Sequence, residues 1–179
     1  MNIFAHMTVI RLTKEFSFEA AHALDGYDGP CREIHGHSYR LFVTVKGRPV
    51  AGEGDPKCGM VMDFGVLKRI VNEEIVSHFD HSLVLRQTPC NASLRAMLAE
   101  RFGNIVTVDY QPTCENMLGD FARRISRRLP EGVDEATFNA CIETVFSEPQ
   151  VDRTYTEAEF RAEICGNAAG AKVFAVEYL

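Results

Sequence analysis

Polar and apolar residues alternate through the first ordered-looking stretch of the chain. Val9, Ile10, Leu12, Phe16 and Phe18 are spaced largely by two, which is the period of a half-buried strand. From Ser38 to Val45 the alternation returns, with Tyr39, Leu41, Val43 and Val45 on one face. The run from Gly47 to Pro56 is rich in Gly and Pro and reads as a connection. The period then changes. Asp63 is placed to cap a helix whose buried stripe is Phe64, Leu67, Ile70, Val71 and Ile75, fading near Ser77. A second helix follows Pro112 and Thr113, with Thr113 as cap, Glu115 in its first turn, and Leu118, Phe121, Ala122, Ile125 and Leu129 on one face. Thr137 to Phe146 and Ala171 to Tyr178 read as closing strands.

Two stretches stand outside that skeleton. Residues 91–110 read as a short helix followed by the extended run Ile105 to Val108, and residues 147–170 contain a charged amphipathic segment, Thr156 to Ile164. Both are read as insertions, near 86–110 and 147–170. The order strand, strand, helix, helix, strand, strand predicts one α+β domain over residues 1–179. Four antiparallel strands would carry two helices on one face.

Composition narrows the class without naming a chemistry. The chain has 179 residues, 46% of them hydrophobic, enough for one domain with a full core. Its net charge of -6 disfavours nonspecific nucleic-acid binding, which needs a basic face. The basic run Arg123, Arg124, Arg127, Arg128 is expected to be a solvated helix end that complements the macrodipole. No stretch is apolar for long enough to span a bilayer, and the first residues lack the pattern of a secretory signal. Either Met1 or Met7 could start the natural chain. The six cysteines are scattered, without a CxxC pair, which suggests reduced thiols in a cytoplasmic enzyme.

The histidines carry the chemistry. His22, His35 and His37 are three of six, and they fall within sixteen residues. In a strand, His35 and His37 point to the same face. A third imidazole from a neighbouring strand would make a three-nitrogen site with an open fourth position, the pattern of catalytic zinc. Cys31, just before the pair, offers a thiolate base or nucleophile beside that metal, since a nearby cation lowers a thiol pKa.

Six motifs occur in order: Phe16-Ser-Phe-Glu-Ala-Ala-His22, Cys31-x3-His35-Gly-His37, Met62-Asp63-Phe64-x2-Leu67-Lys68, Phe79-Asp80-His81, Pro112-Thr113-x-Glu115-Asn116 and Glu143-Thr144. Together they resemble the 6-pyruvoyltetrahydropterin synthase / 6-carboxytetrahydropterin synthase family. The cysteine-to-histidine spacing is similar to the bacterial 6-carboxytetrahydropterin synthases of queuosine biosynthesis. The resemblance implies a tunnelling fold (T-fold), assembled as a hexamer of two stacked trimers with active sites at subunit boundaries. It implies Zn2+ on His22, His35 and His37, Cys31 as general base, and Asp80 with His81 as a proton relay. It also implies a pterin anchor at Glu143, with Thr113 and Glu115 completing the pocket, although Thr113 as a plain helix cap fits almost equally well.

The substrate so implied is 7,8-dihydroneopterin triphosphate. The products would be 6-carboxytetrahydropterin, acetaldehyde and triphosphate, or a 6-pyruvoyl product if the enzyme stops after elimination. A pterin-binding protein without activity would not need Cys31, Asp80 and His81 together. Because neighbouring side chains usually diverge, Asp80 is not expected to orient His81 directly, and a link through Cys31 of another subunit is the expected alternative. Arg32, Lys14 and Arg40 are the cations nearest the site in sequence. Cys58, Cys90, Cys114, Cys141 and Cys165 are expected to be buried structural residues, and His6 and His78 surface ones.

Overall fold

The computed structural model describes residues 9–52, 54–130, 133–143 and 173–178. Two 13-residue strands dominate it: β1 (Ile10–His22) and β2 (His35–Gly47). They pair antiparallel along their whole length, from Ile10 against Gly47 to His22 against His35. Helix α1 (Phe64–Val71) continues through a π turn (Asn72–Val76) into a final turn, α2 (Ser77–Phe79). Then come β3 (Ser82–Arg86), α3 (Pro89–Ala99), β4 (Ile105–Val108), α4 (Cys114–Ser126), β5 (Val133–Glu143) and β6 (Val173–Tyr178).

The sheet order is β4-β3-β1-β2-β5-β6. The four expected antiparallel strands are β1, β2, β5 and β6. The sheet is nevertheless six-stranded and mixed, because β3 and β4 add in parallel along the free edge of β1. Ser82–Arg86 escaped the sequence reading because it is short, its apolar run Leu83-Val84-Leu85 showing no alternation to mark it. The first insertion holds the expected helix and extended run. The second, residues 147–170, lies outside the described residues, as do His6, Met1, Met7 and Cys165.

Alternation in the long strands sends one set of side chains to the core. Phe16, Phe18 and Ala20 of β1, with Tyr39, Leu41, Val43 and Val45 of β2, are buried on one face. Leu67, Ile70, Val71, Ile75 and Phe79 meet them from the first helix, and Met117, Leu118, Phe121, Ala122 and Ile125 from α4. Each large side chain so covered contributes about 1.5–3 kcal/mol. Phe121 joins the two layers, meeting Phe18 edge-on at 5.9 Å and Phe79 at 4.8 Å. Asp63 caps α1 by accepting from the Gly65 amide at 2.7 Å. Phe64, expected on the buried stripe, is exposed instead and lies under the Lys14 ammonium. As the first helical residue it precedes the turn that docks on the sheet. The other sheet face carries polar pairs, including Thr13 with Thr44 at 2.8 Å and Arg40 with Glu15 at 2.6 Å.

Arg128 pairs with Glu73 at 2.8 Å and with Glu74, and Arg124 with Asp120 at 2.8 Å, so these members of the basic run are spent within the fold. Among the described residues, no helix is long and apolar enough to cross a membrane.

Candidate metal centre and active site

His22 ends β1 and His35 begins β2, and the two are direct register partners. His37 lies two residues on, opposite Ala20. Direct partners share a face, and so do residues two apart. All three imidazoles therefore leave the helix-facing side of the sheet, in line with Tyr39 and Leu41. Their ring centroids are 4.6, 5.1 and 4.7 Å apart, and one nitrogen from each lies within 4.8 Å of the others.

Backbone carbonyls fix two of the rings. The Pro112 carbonyl lies 2.5 Å from His22 Nδ1, and the Glu33 carbonyl 2.8 Å from His35 Nδ1. A carbonyl can only accept, so both Nδ1 atoms carry a proton, and in the neutral form of each ring the Nε2 atom presents a lone pair. Those Nε2 atoms face each other at 3.2 Å. Two lone pairs at that distance repel unless a proton or a cation lies between them. Burial argues against the proton: it lowers the His22 pKa, opposed by the Pro112 hydrogen bond and assisted by the His35 charge. His37 is pushed down to about 4, first by burial and then by His22 and His35. Its buried Nδ1 has no hydrogen-bond partner. Nitrogen ligands about 2.0–2.1 Å from a tetrahedral zinc would stand about 3.3–3.4 Å apart. His22 and His35 stand at near this spacing, with their outer nitrogens held by carbonyls and a His37 nitrogen within 4.8 Å, an arrangement that fits a divalent metal.

Cys31 sits in a single 3-10 turn (Pro30–Arg32) between the two strands. Its carbonyl accepts from the Leu24 amide at 2.9 Å, which ties the cysteine loop to the two residues beyond His22. The thiol is free and half-buried. Gly26, at φ 69°, turns this loop in a conformation that other residues rarely adopt. Thr113 caps α4, its hydroxyl accepting from the Asn116 amide at 3.3 Å.

Asp80 and His81 touch directly, contrary to the expectation that neighbours diverge. Asp80 Oδ1 lies 2.9 Å from His81 Nδ1. The reason is local: His81 adopts φ 55°, the left-handed region, which swings its ring back over Asp80. That observation removes the need for a second subunit to orient His81. β1 holds the turn from the side, since the Glu19 amide donates to Asp80 Oδ1 at 2.9 Å and the His81 amide to the Glu19 carbonyl at 2.6 Å. The Glu19 amide is also the main cause of a lowered Asp80 pKa, with His81 adding to it against a desolvation cost. The His81 side chain is 78% exposed.

A sequence model of the family described as 6-pyruvoyl tetrahydropterin synthase matches residues 11–152. The chain belongs to that family. A protein of Haemophilus influenzae named 6-carboxy-5,6,7,8-tetrahydropterin synthase is 37% identical over 122 residues, covering 68% of this chain and 82% of the relative. A protein of the same name from Synechocystis is 36% identical over 126 residues, covering 65% and 96%. Among solved structures, the 6-pyruvoyl tetrahydropterin synthase of Caenorhabditis elegans aligns with 97% of this chain and 98% of its own, at TM-score 0.52 and 19% identity. That of Plasmodium falciparum covers 74% and 90%, at TM-score 0.54 and 16% identity. These structures share the fold, and the T-fold reading of the sequence stands.

The other expected site residues are placed less fully. Glu143 closes β5 at the register position of Ser38, whose hydroxyl donates to Glu19 at 2.7 Å. Glu115 is exposed on the first turn of α4, lining an open groove with Asp109, Tyr110 and Arg123. Of the three nearby cations, Lys14 pairs in register with Val43, far up β1 from His22, and Arg40 pairs with Glu15. Arg32 stays beside Cys31, exposed and 3.0 Å from Glu33. Cys58 and Cys90 are exposed rather than buried, lying in the connection before α1 and at the start of α3. Cys114 is buried as expected. Sequence reasoning missed Glu19, Glu33 and Pro112, whose contributions come through main-chain atoms that no residue pattern announces.

Proposed function

We propose that this chain acts as a zinc-dependent 6-carboxy-5,6,7,8-tetrahydropterin synthase. It would convert 7,8-dihydroneopterin triphosphate and water to 6-carboxytetrahydropterin, acetaldehyde and triphosphate. The observation that carries the reading is the convergence of His22, His35 and His37, whose candidate ligand nitrogens lie within 4.8 Å of one another, with the Nε2 atoms of His22 and His35 3.2 Å apart. Relatives of that name at 36–37% identity support the reaction class.

His22, His35 and His37 would hold the zinc, which supplies Lewis acidity toward the hydroxyls of the substrate side chain. Cys31 takes a proton from that side chain as thiolate. Asp80 keeps its charge and holds His81 Nδ1, so His81 exchanges a proton at Nε2. Glu143 accepts from the pterin amine and adjacent ring N–H in a paired contact. Thr113 and Glu115 frame that end of the site. Loss of the side-chain proton drives out triphosphate, and water then cleaves a side-chain carbon–carbon bond, its hydroxyl going to the carbon that becomes the carboxyl group and a proton to the carbon that leaves as acetaldehyde. We further propose a single domain over residues 1–179, a homohexamer of two trimers, and a cytoplasmic location, the last from the exposed or half-buried Cys31, Cys58 and Cys90, which stand as thiols rather than in disulfides.

The test is incubation of the zinc-loaded protein with 7,8-dihydroneopterin triphosphate, with products identified by mass. Acetaldehyde and 6-carboxytetrahydropterin are expected. Triphosphate release without acetaldehyde would make it a 6-pyruvoyl synthase, the reading that the family description favours. An untouched substrate would refute both.

A further inference from the structure

Gln111 is outside every motif singled out above, yet it binds the segments that build the metal centre. Its carboxamide makes two contacts with the main chain of Asp25, accepting from the Asp25 amide at 3.1 Å and donating to the Asp25 carbonyl at 2.8 Å. Asp25 lies three residues past His22, in the loop that carries Cys31. The Gln111 main chain is held in turn by α4. Its carbonyl accepts from the Thr113 amide at 2.7 Å and from Asn116 Nδ2 at 3.0 Å. Between these anchors stands Pro112, buried, whose carbonyl fixes His22 Nδ1 at 2.5 Å.

We propose that Gln111 is a positioning residue for the metal centre. Its side chain joins the His22–Cys31 loop to the α4 terminus, and so aims the Pro112 carbonyl that sets the His22 tautomer. The inference rests on the three-histidine metal site described above.

The geometry explains why an amide is required. The two Asp25 contacts need one acceptor and one donor, held a short distance apart on one planar group, and only Asn or Gln supplies both. A carboxylate would set an oxygen against the Asp25 carbonyl. A thioether of similar length would fill the space and make neither bond. Pro112 helps from the other side: without an amide hydrogen and with φ restricted, it leaves its carbonyl as the one polar main-chain group to be aimed. Partners that orient a metal-bound imidazole typically change metal affinity about 10–100-fold when lost. Gln111 acts one bond further out, through Pro112, so an effect at the lower end, about tenfold, is expected.

The experiment compares the full chain with Gln111→Met and Gln111→Glu. Zinc affinity is measured by competition with a chromophoric chelator. Melting temperatures are taken with and without zinc, and the cobalt form gives a visible spectrum. The proposal expects zinc affinity to fall about tenfold or more in both variants, with the cobalt bands shifted. It also expects a smaller zinc-induced rise in melting temperature than in the parent. Folded variants with parental zinc affinity and cobalt spectrum would overturn it, even if their melting temperatures fell, because that would leave Gln111 a purely structural role. If one variant fails to fold, the affinity of the other decides. A parent chain that binds no zinc would instead refute the metal centre itself, so the two failures are distinguishable.

Discussion

The proposed metal centre and the Asp80–His81 pair are built by opposite means. The three histidines stand on two long strands zipped together over 13 residues, on the buried face, with two outer nitrogens held by carbonyls. Asp80 and His81 occupy a turn between a helix and a short strand, and the histidine is largely solvent-exposed. A metal site needs several ligands fixed to within fractions of an ångström, which paired strands deliver. A proton-transfer residue needs access to substrate. His81, proposed for that role, gains orientation from one carboxylate and one left-handed backbone angle rather than from burial. Rigidity is concentrated where geometry is demanding, and exposure where a proton must pass.

The strongest test of that contrast is to break each part separately. His37→Ala is expected to abolish stoichiometric zinc binding and to reduce turnover to background, read by metal analysis and by acetaldehyde release. Asp80→Asn and His81→Ala should retain one zinc per chain while turnover falls about 10²–10⁴-fold, the usual contribution of a positioned acid or base. If either variant also lost its metal, the two regions would not be separable as described.

A third variant sharpens the view of the buried end. The Tyr39 hydroxyl is buried beside His37, with no hydrogen-bond partner, and its pKa is raised chiefly by burial. An unsatisfied buried group costs about 1–3 kcal/mol. Tyr39→Phe keeps the ring stacked on Phe18 and should raise the melting temperature without changing zinc content. A marked drop would show that the hydroxyl is used.

The smallest expected effect concerns pH. Asp80 is lowered below its ordinary 3.8 in the folded state, mainly by the Glu19 amide. The unfolded chain therefore binds its proton first as the pH falls, and Asp80 adds stability above that value that is lost below it. The melting-temperature difference between the parent and Asp80→Asn should accordingly shrink as the pH drops through the carboxylate range. A difference independent of pH would place the effect elsewhere than in the carboxylate charge.

Much of this was legible in the sequence, and the pattern of success is physical. Alternation in β1 and β2 revealed both strands, because each has one buried face. The His35-Gly-His37 spacing revealed the shared face of two proposed ligands, and the stripes of α1 and α4 survived nearly intact. What stayed hidden had no side-chain period. β3 is a short apolar run. The contact between Asp80 and His81 depends on one backbone angle that residue type does not announce. The carbonyls of Pro112 and Glu33, and the clamp at Gln111, act between segments far apart in sequence. Cys58 and Cys90 show the limit of composition, for a cysteine that is buried in most proteins sits in the open here.

The central claim is that His22, His35 and His37 share one zinc that keeps a corner free for substrate. X-ray absorption at the zinc edge of the purified, reconstituted chain tests it most directly. The account predicts nitrogen and oxygen neighbours only, at about 2.0–2.1 Å. A sulfur shell at about 2.3 Å would contradict it, for Cys31 would then close the site and could not serve as the base.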